Sequence, residues 1–110
     1  MFRDGLLDIM MSRRSIRRYR PSPVGRDLIE MLLTAAIWAP SAHNRQPWRF
    51  CVIESAAEIE TLARAMGARL RSDLERDGVP ADLIEKDTAK SYTRITGAPA
   101  LVVLCLSMVD

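Results

Sequence analysis

The 110-residue sequence predicts a mixed α and β fold, and three observations carry that expectation. Two segments, Ala56 to Asp77 and Pro80 to Thr93, have the character of amphipathic helices, with apolar residues spaced among charged ones. Two apolar runs, Arg49 to Ile53 and Ala98 to Met108, read as strands, the second as a buried one. Hydrophobic residues make up 48% of the chain and charged residues 27%, the balance of a soluble globular protein. A domain near this size buries roughly 60 to 70% of the surface its unfolded chain exposes, so it can hold a core.

Taken in order, Asp4 to Arg13 predicts a short helix with Leu6, Leu7, Ile9 and Met10 on a broad apolar side. Pro21 and Pro23 then break the chain. The next helix, Gly25 to Trp38, is apolar nearly all round through Leu28, Ile29, Met31, Leu32, Leu33 and Ile37. Such a helix is expected to be covered on most faces, by a core or by another subunit. Ala56 to Asp77 carries Ile59, Leu62, Ala63, Met66, Leu70 and Leu74 on one face, and Gly78 supplies the stop. Pro80 suits a first helical position. The arginines Arg64, Arg69, Arg71 and Arg76 are offset by Glu58, Glu60, Asp73 and Glu75, the pattern of a salt-bridged helix face. No repeat, linker or low-complexity tract marks a boundary, so residues 1–110 are expected to form a single domain.

Composition and charge exclude several classes. No apolar run approaches the roughly 20 residues of a membrane span. Asp4 and Asp8 interrupt the amphipathic N-terminus, and no small-residue cleavage site follows, which argues against a signal peptide. Sixteen Lys and Arg against fourteen Asp and Glu leave a net charge of +2, so no long-range basic field invites nucleic acid. The two cysteines, Cys51 and Cys105, fall within the strand runs without metal-ligand spacing and are expected to be buried thiols of a cytoplasmic protein. No metal site is expected.

Two stretches remain. Arg13 to Tyr19 reads RRSIRRY, four arginines in seven residues. An arginine fork offers fixed donors suited to phosphate or to the electron-rich edge of a flavin or nucleotide, and Ser15 adds a hydroxyl. Alternation along an extended segment would put Arg13, Ser15 and Arg17 on one face, with Ile16 opposite. A ligand pocket and a solvated arginine turn both fit that chemistry. The second stretch, Ala39 to Phe50, reads APSAHNRQPWRF and lies between a helix and a strand, where α/β proteins place ligand loops. Asn44 and Gln46 can match alternating donors and acceptors, as on a flavin's pyrimidine edge. Trp48 is expected to fill the core, Arg45 and Arg49 to be solvated, and the lone histidine, His43, to be a packing or surface residue.

Together, Arg13-Arg14-Ser15-Ile16-Arg17, a helix ending Trp38-Ala39-Pro40-Ser41, and Asn44-Arg45-Gln46-Pro47-Trp48-Arg49-Phe50 resemble the nitroreductase family of flavoproteins in order and spacing. The stretch from Leu62 to Ala98-Pro99 is similar to the branch that includes the nitroreductase-like domain of deazaflavin γ-glutamyl ligases. The resemblance implies an α+β fold and an intertwined homodimer with FMN at the subunit interface. It also implies hydride transfer from NAD(P)H to a nitro, quinone or related acceptor. By position, Arg13, Arg14 and Ser15 match residues that hold the FMN phosphate and ribityl chain, and Arg17 the cation beside the pyrimidine carbonyl. Ser41 matches a residue reaching the flavin from the other subunit, and Asn44 one near the pyrimidine ring. No protein nucleophile or general base is implied, because the cofactor carries the chemistry. Domains of this family are longer, so the chain is expected to represent the N-terminal half of the fold. The alternative is a non-catalytic dimerisation or anion-binding module that retains this half.

Overall fold

The computed structural model describes residues 5–108, so Asp4, placed in the first helix on sequence grounds, lies outside the described residues. The elements run α1 (Gly5–Ser12), α2 (Arg26–Ala36), β1 (Trp48–Ile53), α3 (Ala56–Arg76), α4 (Ala81–Thr96) and β2 (Leu101–Leu106). Each expected helix and strand is present. The fold is α+β.

The α3–α4 hairpin holds most of the buried residues. At the start of α3, the Ser55 hydroxyl accepts a bond from the Glu58 N–H at 3.4 Å, satisfying one of the donors that a helix N-terminus leaves open. The helix ends at Gly78, whose φ of +76° is left-handed and suits a residue without a Cβ. There Gly78 N donates to Glu75 O at 3.1 Å and Val79 N to Leu74 O at 3.0 Å, the paired bonds of a Schellman stop. Pro80 caps α4 rather than opening it: its carbonyl accepts from Leu83 N and Ile84 N. Ile59 and Ala63 of α3 and Ile84 of α4 are the buried centre of the pair. Ala63 is fully buried, which lets the two backbones approach closely.

The charges of α3 pair as expected. Arg64 meets Glu60 at 2.7 Å, Arg69 meets Asp73 at 3.2 Å, and Arg76 meets Asp73 at 2.8 Å. Arg71 reaches across to Glu85 of α4 at 2.5 Å.

The hairpin is an insertion between two antiparallel strands. Trp48 pairs with Leu106, Cys51 with Val103 and Ile53 with Leu101. The register sets Cys51 and Cys105 diagonally on one face of this two-stranded ribbon, and both are exposed rather than buried. The reason is physical: with only two strands and little packed on the ribbon, neither face is sealed. For the same reason Trp48 is half-buried rather than a core residue, and β2 leaves Val102, Leu104 and Leu106 exposed rather than forming a buried strand.

The helix α2 also departs from expectation. Its apolar circumference is present, but this chain covers only part of it. Ile29 is buried and Leu33 half-buried, whereas Met31 is 61% and Leu32 58% exposed. Beyond the helix end, Trp38 is 83% exposed. Among the described residues, no helix is long and apolar enough to cross a membrane.

Candidate functional site

The arginine segment has no regular secondary structure from Arg13 to Arg20, and every residue of it is exposed. Two prolines follow directly, and the chain passes along the C-terminal end of α4 and the start of β2. Ile16, Arg18, Tyr19, Ser22 and Val24 share a cavity there with Ile95, Ala98 and Leu101. Sequence-distant parts of the chain are thus brought to one place.

Beside that contact lies a cleft of about 820 Å³ between the arginine segment and α4. Its cations are Arg17, Arg18, Lys86, Lys90 and Arg94, and its lining contains no carboxylate. Arg17 therefore lines a concave cationic site. Arg13, Arg14 and Ser15 do not line this cleft. Arg14 folds back on its own backbone, with Nη1 donating to Met11 O at 3.1 Å and to Arg13 O at 2.8 Å. This fixes the bend that follows α1. Among the described residues, the Arg13 and Ser15 side chains make no hydrogen bond, which leaves their donors free for a ligand.

Lys86, Lys90 and Arg94 were not marked by the sequence pattern. A basic residue on an amphipathic helix reads as solvated, and only the fold sets these three opposite Arg17. The available signal was their i, i+4, i+8 spacing, which aligns them on one face of α4.

The loop between α2 and β1 forms a short 3-10 turn at Ala42–Asn44. His43, Asn44 and Gln46 have φ of 54°, 53° and 51°, left-handed values for residues that carry a Cβ. Such conformations cost of order 1–3 kcal/mol each and gather at functional sites. Gln46 also precedes Pro47, which disfavours the α region for it. Besides backbone bonds from Asn44 N to Ser41 O and from Arg45 N to Ala42 O, Gln46 N donates to Ser41 Oγ at 3.0 Å, and Gln46 Nε2 donates to Asn44 Oδ1 at 3.1 Å. Ser41 and Asn44, both assigned on sequence grounds, are thus joined through Gln46, whose role there the sequence did not reveal. The loop opens on a second cavity of about 570 Å³, with Ala42, Arg45, Gln46, Leu106 and Met108 among its lining. Within one chain, neither Ser41 nor Asn44 lines the cleft that holds Arg17.

Electrostatically, the perturbed groups lie in the hairpin. Glu60 is held below its ordinary value by its hydrogen bond to Arg64, then by the Tyr92 hydroxyl at 3.0 Å. Glu85 is lowered by its hydrogen bond to Arg71, and Arg64 and Arg71 are raised in return. The guanidinium of Arg64 also sits 5.8 Å from the Tyr92 ring centroid, in cation–π range. These groups stabilise the helix pair. No cluster of His, Cys, Asp and Glu suited to a metal ion occurs among the described residues.

Over 55 residues, half of this chain, the sequence is 49% identical to a protein of Thermus thermophilus called NADH dehydrogenase, of which the match covers 27%. The fold superposes on an iodotyrosine deiodinase bound to FMN and 3-iodo-L-tyrosine with a TM-score of 0.67 and 26% identity, covering 90% of this chain and 55% of that one. It superposes on a BluB-like flavoprotein of Clostridium difficile 630 with a TM-score of 0.70 and 26% identity, covering 92% and 48% respectively. The chain therefore spans about half the length of these structures. The family model described as Nitroreductase family matches residues 10–108, and the chain belongs to that family.

Proposed function

We propose that this chain is part of an FMN-dependent oxidoreductase that takes hydride from a nicotinamide donor and passes it to a nitro, quinone or related electron-poor acceptor. The observation that carries the proposal is the acid-free cationic cleft at Arg17, in a chain whose family and structural neighbours are flavoproteins. The donor set fits the cofactor. The free guanidinium of Arg13 and the free hydroxyl of Ser15 suit a phosphate and a ribityl oxygen, and Arg17 with Arg94 suits a pyrimidine carbonyl. Arg14 contributes from the backbone side by fixing the bend that presents its neighbours.

Bound there, FMN would supply the hydride-accepting and hydride-donating chemistry. The protein's own part is electrostatic. Fixed positive charge at Arg17, supported by Arg94 in a concave site, favours negative charge that builds on the ring edge during reduction. The strained Ser41–Gln46 loop offers the Asn44 amide to the ring. Because that loop lies outside the cleft within one chain, the proposal places it over the flavin of a second copy. The exposed apolar α2 supports such a homodimer. The same resemblance leads us to propose a cytoplasmic setting, with no nucleic-acid or membrane partner.

The absorption spectrum of the full-length protein as purified tests this reading, with released flavin identified by chromatography. A flavin band bleached anaerobically by NADH or NADPH is the expected result. A second reading, a dimerisation or anion-binding module without redox activity, is favoured by the same exposed α2 and cationic cleft. Colourless protein that dimerises, ignores added FMN and still binds inorganic phosphate would establish it instead.

A further inference from the structure

Two groups of cations in this protein contrast. On α3, Arg64, Arg69, Arg71 and Arg76 all meet carboxylates. In the cleft, Arg17, Arg18, Lys86, Lys90 and Arg94 meet none among the described residues. Unpaired like charges gathered in a concave site repel one another, a cost that an anionic ligand removes. Lys86, Lys90 and Arg94 repeat every four residues and form a rail of about 12 Å along α4. Ala89, Thr93 and Gly97 repeat at the same interval in the same lining, giving a floor of small residues that lets a ligand approach the helix.

Arg94 stands in the last turn of α4 and, with Arg17, is given to the flavin by the proposed function. Lys86, just over two turns further back, is beyond the reach of a single small anion held at Arg94. We infer that the outer cleft, at Lys86 and Lys90, binds the diphosphate of the dinucleotide electron donor, so that this rail on α4 and not the flavin site itself recruits the co-substrate. Lysine suits the role as a mobile point charge for phosphate that releases product readily. The inference rests on the proposed oxidoreductase function for the donor's identity, but the diphosphate site itself does not.

The test uses full-length protein and the double variant Lys86→Gln/Lys90→Gln, with Lys86→Arg/Lys90→Arg as the charge-conserving control. Calorimetric titration with inorganic pyrophosphate is expected to show binding that weakens at least tenfold in the Gln variant and is retained in the Arg variant. FMN affinity is expected to change less than twofold. In the flavin-loaded protein, KM for NADH and NADPH should rise at least tenfold with kcat unchanged. Undiminished pyrophosphate binding in the Gln variant would overturn the site, as would FMN affinity falling in parallel, because the rail would then belong to the flavin phosphate. Protein that binds pyrophosphate through the lysines but takes no FMN would keep the diphosphate site and remove the oxidoreductase reading.

Discussion

Arg14 and Arg17 stand three residues apart in one arginine-rich turn, yet the structure gives them different work. Arg14 spends its guanidinium on the carbonyls of Met11 and Arg13, whereas Arg17 enters the cleft facing α4. Arg17→Ala is therefore expected to lower the flavin reduction potential more than it weakens FMN binding, as read by anaerobic dye-coupled titration. Arg13→Ala is expected to weaken FMN binding by about 1.5 to 3 kcal/mol, the scale of a charged hydrogen bond. Parent-like affinity and potential in both variants would remove the arginine segment from the site. The motif was legible in the sequence because arginines at that density are unusual away from nucleic-acid binders. Its partner Arg94 was not legible, because nothing in the α4 pattern says which neighbour that face meets. The cysteines show the converse. An apolar strand pattern predicted buried thiols, but burial depends on what packs against the ribbon, and a local pattern does not encode that.

At the scale of elements, the helices and strands were legible because their signals are local: a period near 3.6, a Gly with positive φ, an apolar run between breakers. The α3–α4 hairpin shows how far such local signals extend to energetics. Glu85 bridges to Arg71, and Glu60 accepts from both Arg64 and Tyr92, so folding lowers the pKa of both carboxyls below the ordinary 4.5. A carboxyl lowered on folding stabilises the native state fully above its unfolded value and loses that contribution as pH falls through the folded value. Thermal stability is therefore expected to stay flat from neutral pH down to about 5 and then fall below the unfolded value near 4.5. Glu85→Gln should make that acid limb shallower. An acid limb identical to the parent's would show that the cross-helix pair contributes nothing. The turn between the helices gives an independent check. Gly78→Ala forces a Cβ into φ of +76° and should destabilise the hairpin by about 1 to 2 kcal/mol in denaturant titration, although no neighbour lies close enough to clash.

The whole molecule is dominated by apolar surface that this chain does not cover. Leu6, Ile9, Met10 and Met11 on α1 are each at least 60% exposed, and they join Met31 and Leu32 on α2 and Trp38 just beyond it. Large exposed apolar surface of this kind marks interfaces. Half of this was legible in the sequence, a helix apolar nearly all round, which left open whether a core or another subunit covers it. In the proposed homodimer, a second copy of the chain would account for the surface and for the loop geometry together. The strained loop held by Ser41 and Gln46 begins only a few residues after α2, so the proposal is that pairing two copies through α2 would carry each loop toward the other copy's arginine segment. Leu32→Asp is the decisive variant, because an unpaired charge set in an interface costs several kcal/mol, while at a site 58% exposed in one chain it costs the isolated fold little. Light scattering should report a dimer for the full-length parent and a monomer for Leu32→Asp, with FMN retention lost in the same variant and far-ultraviolet circular dichroism unchanged. A folded Leu32→Asp monomer that still holds FMN would mean that one chain supplies the whole site, and the strained loop would then need a different purpose.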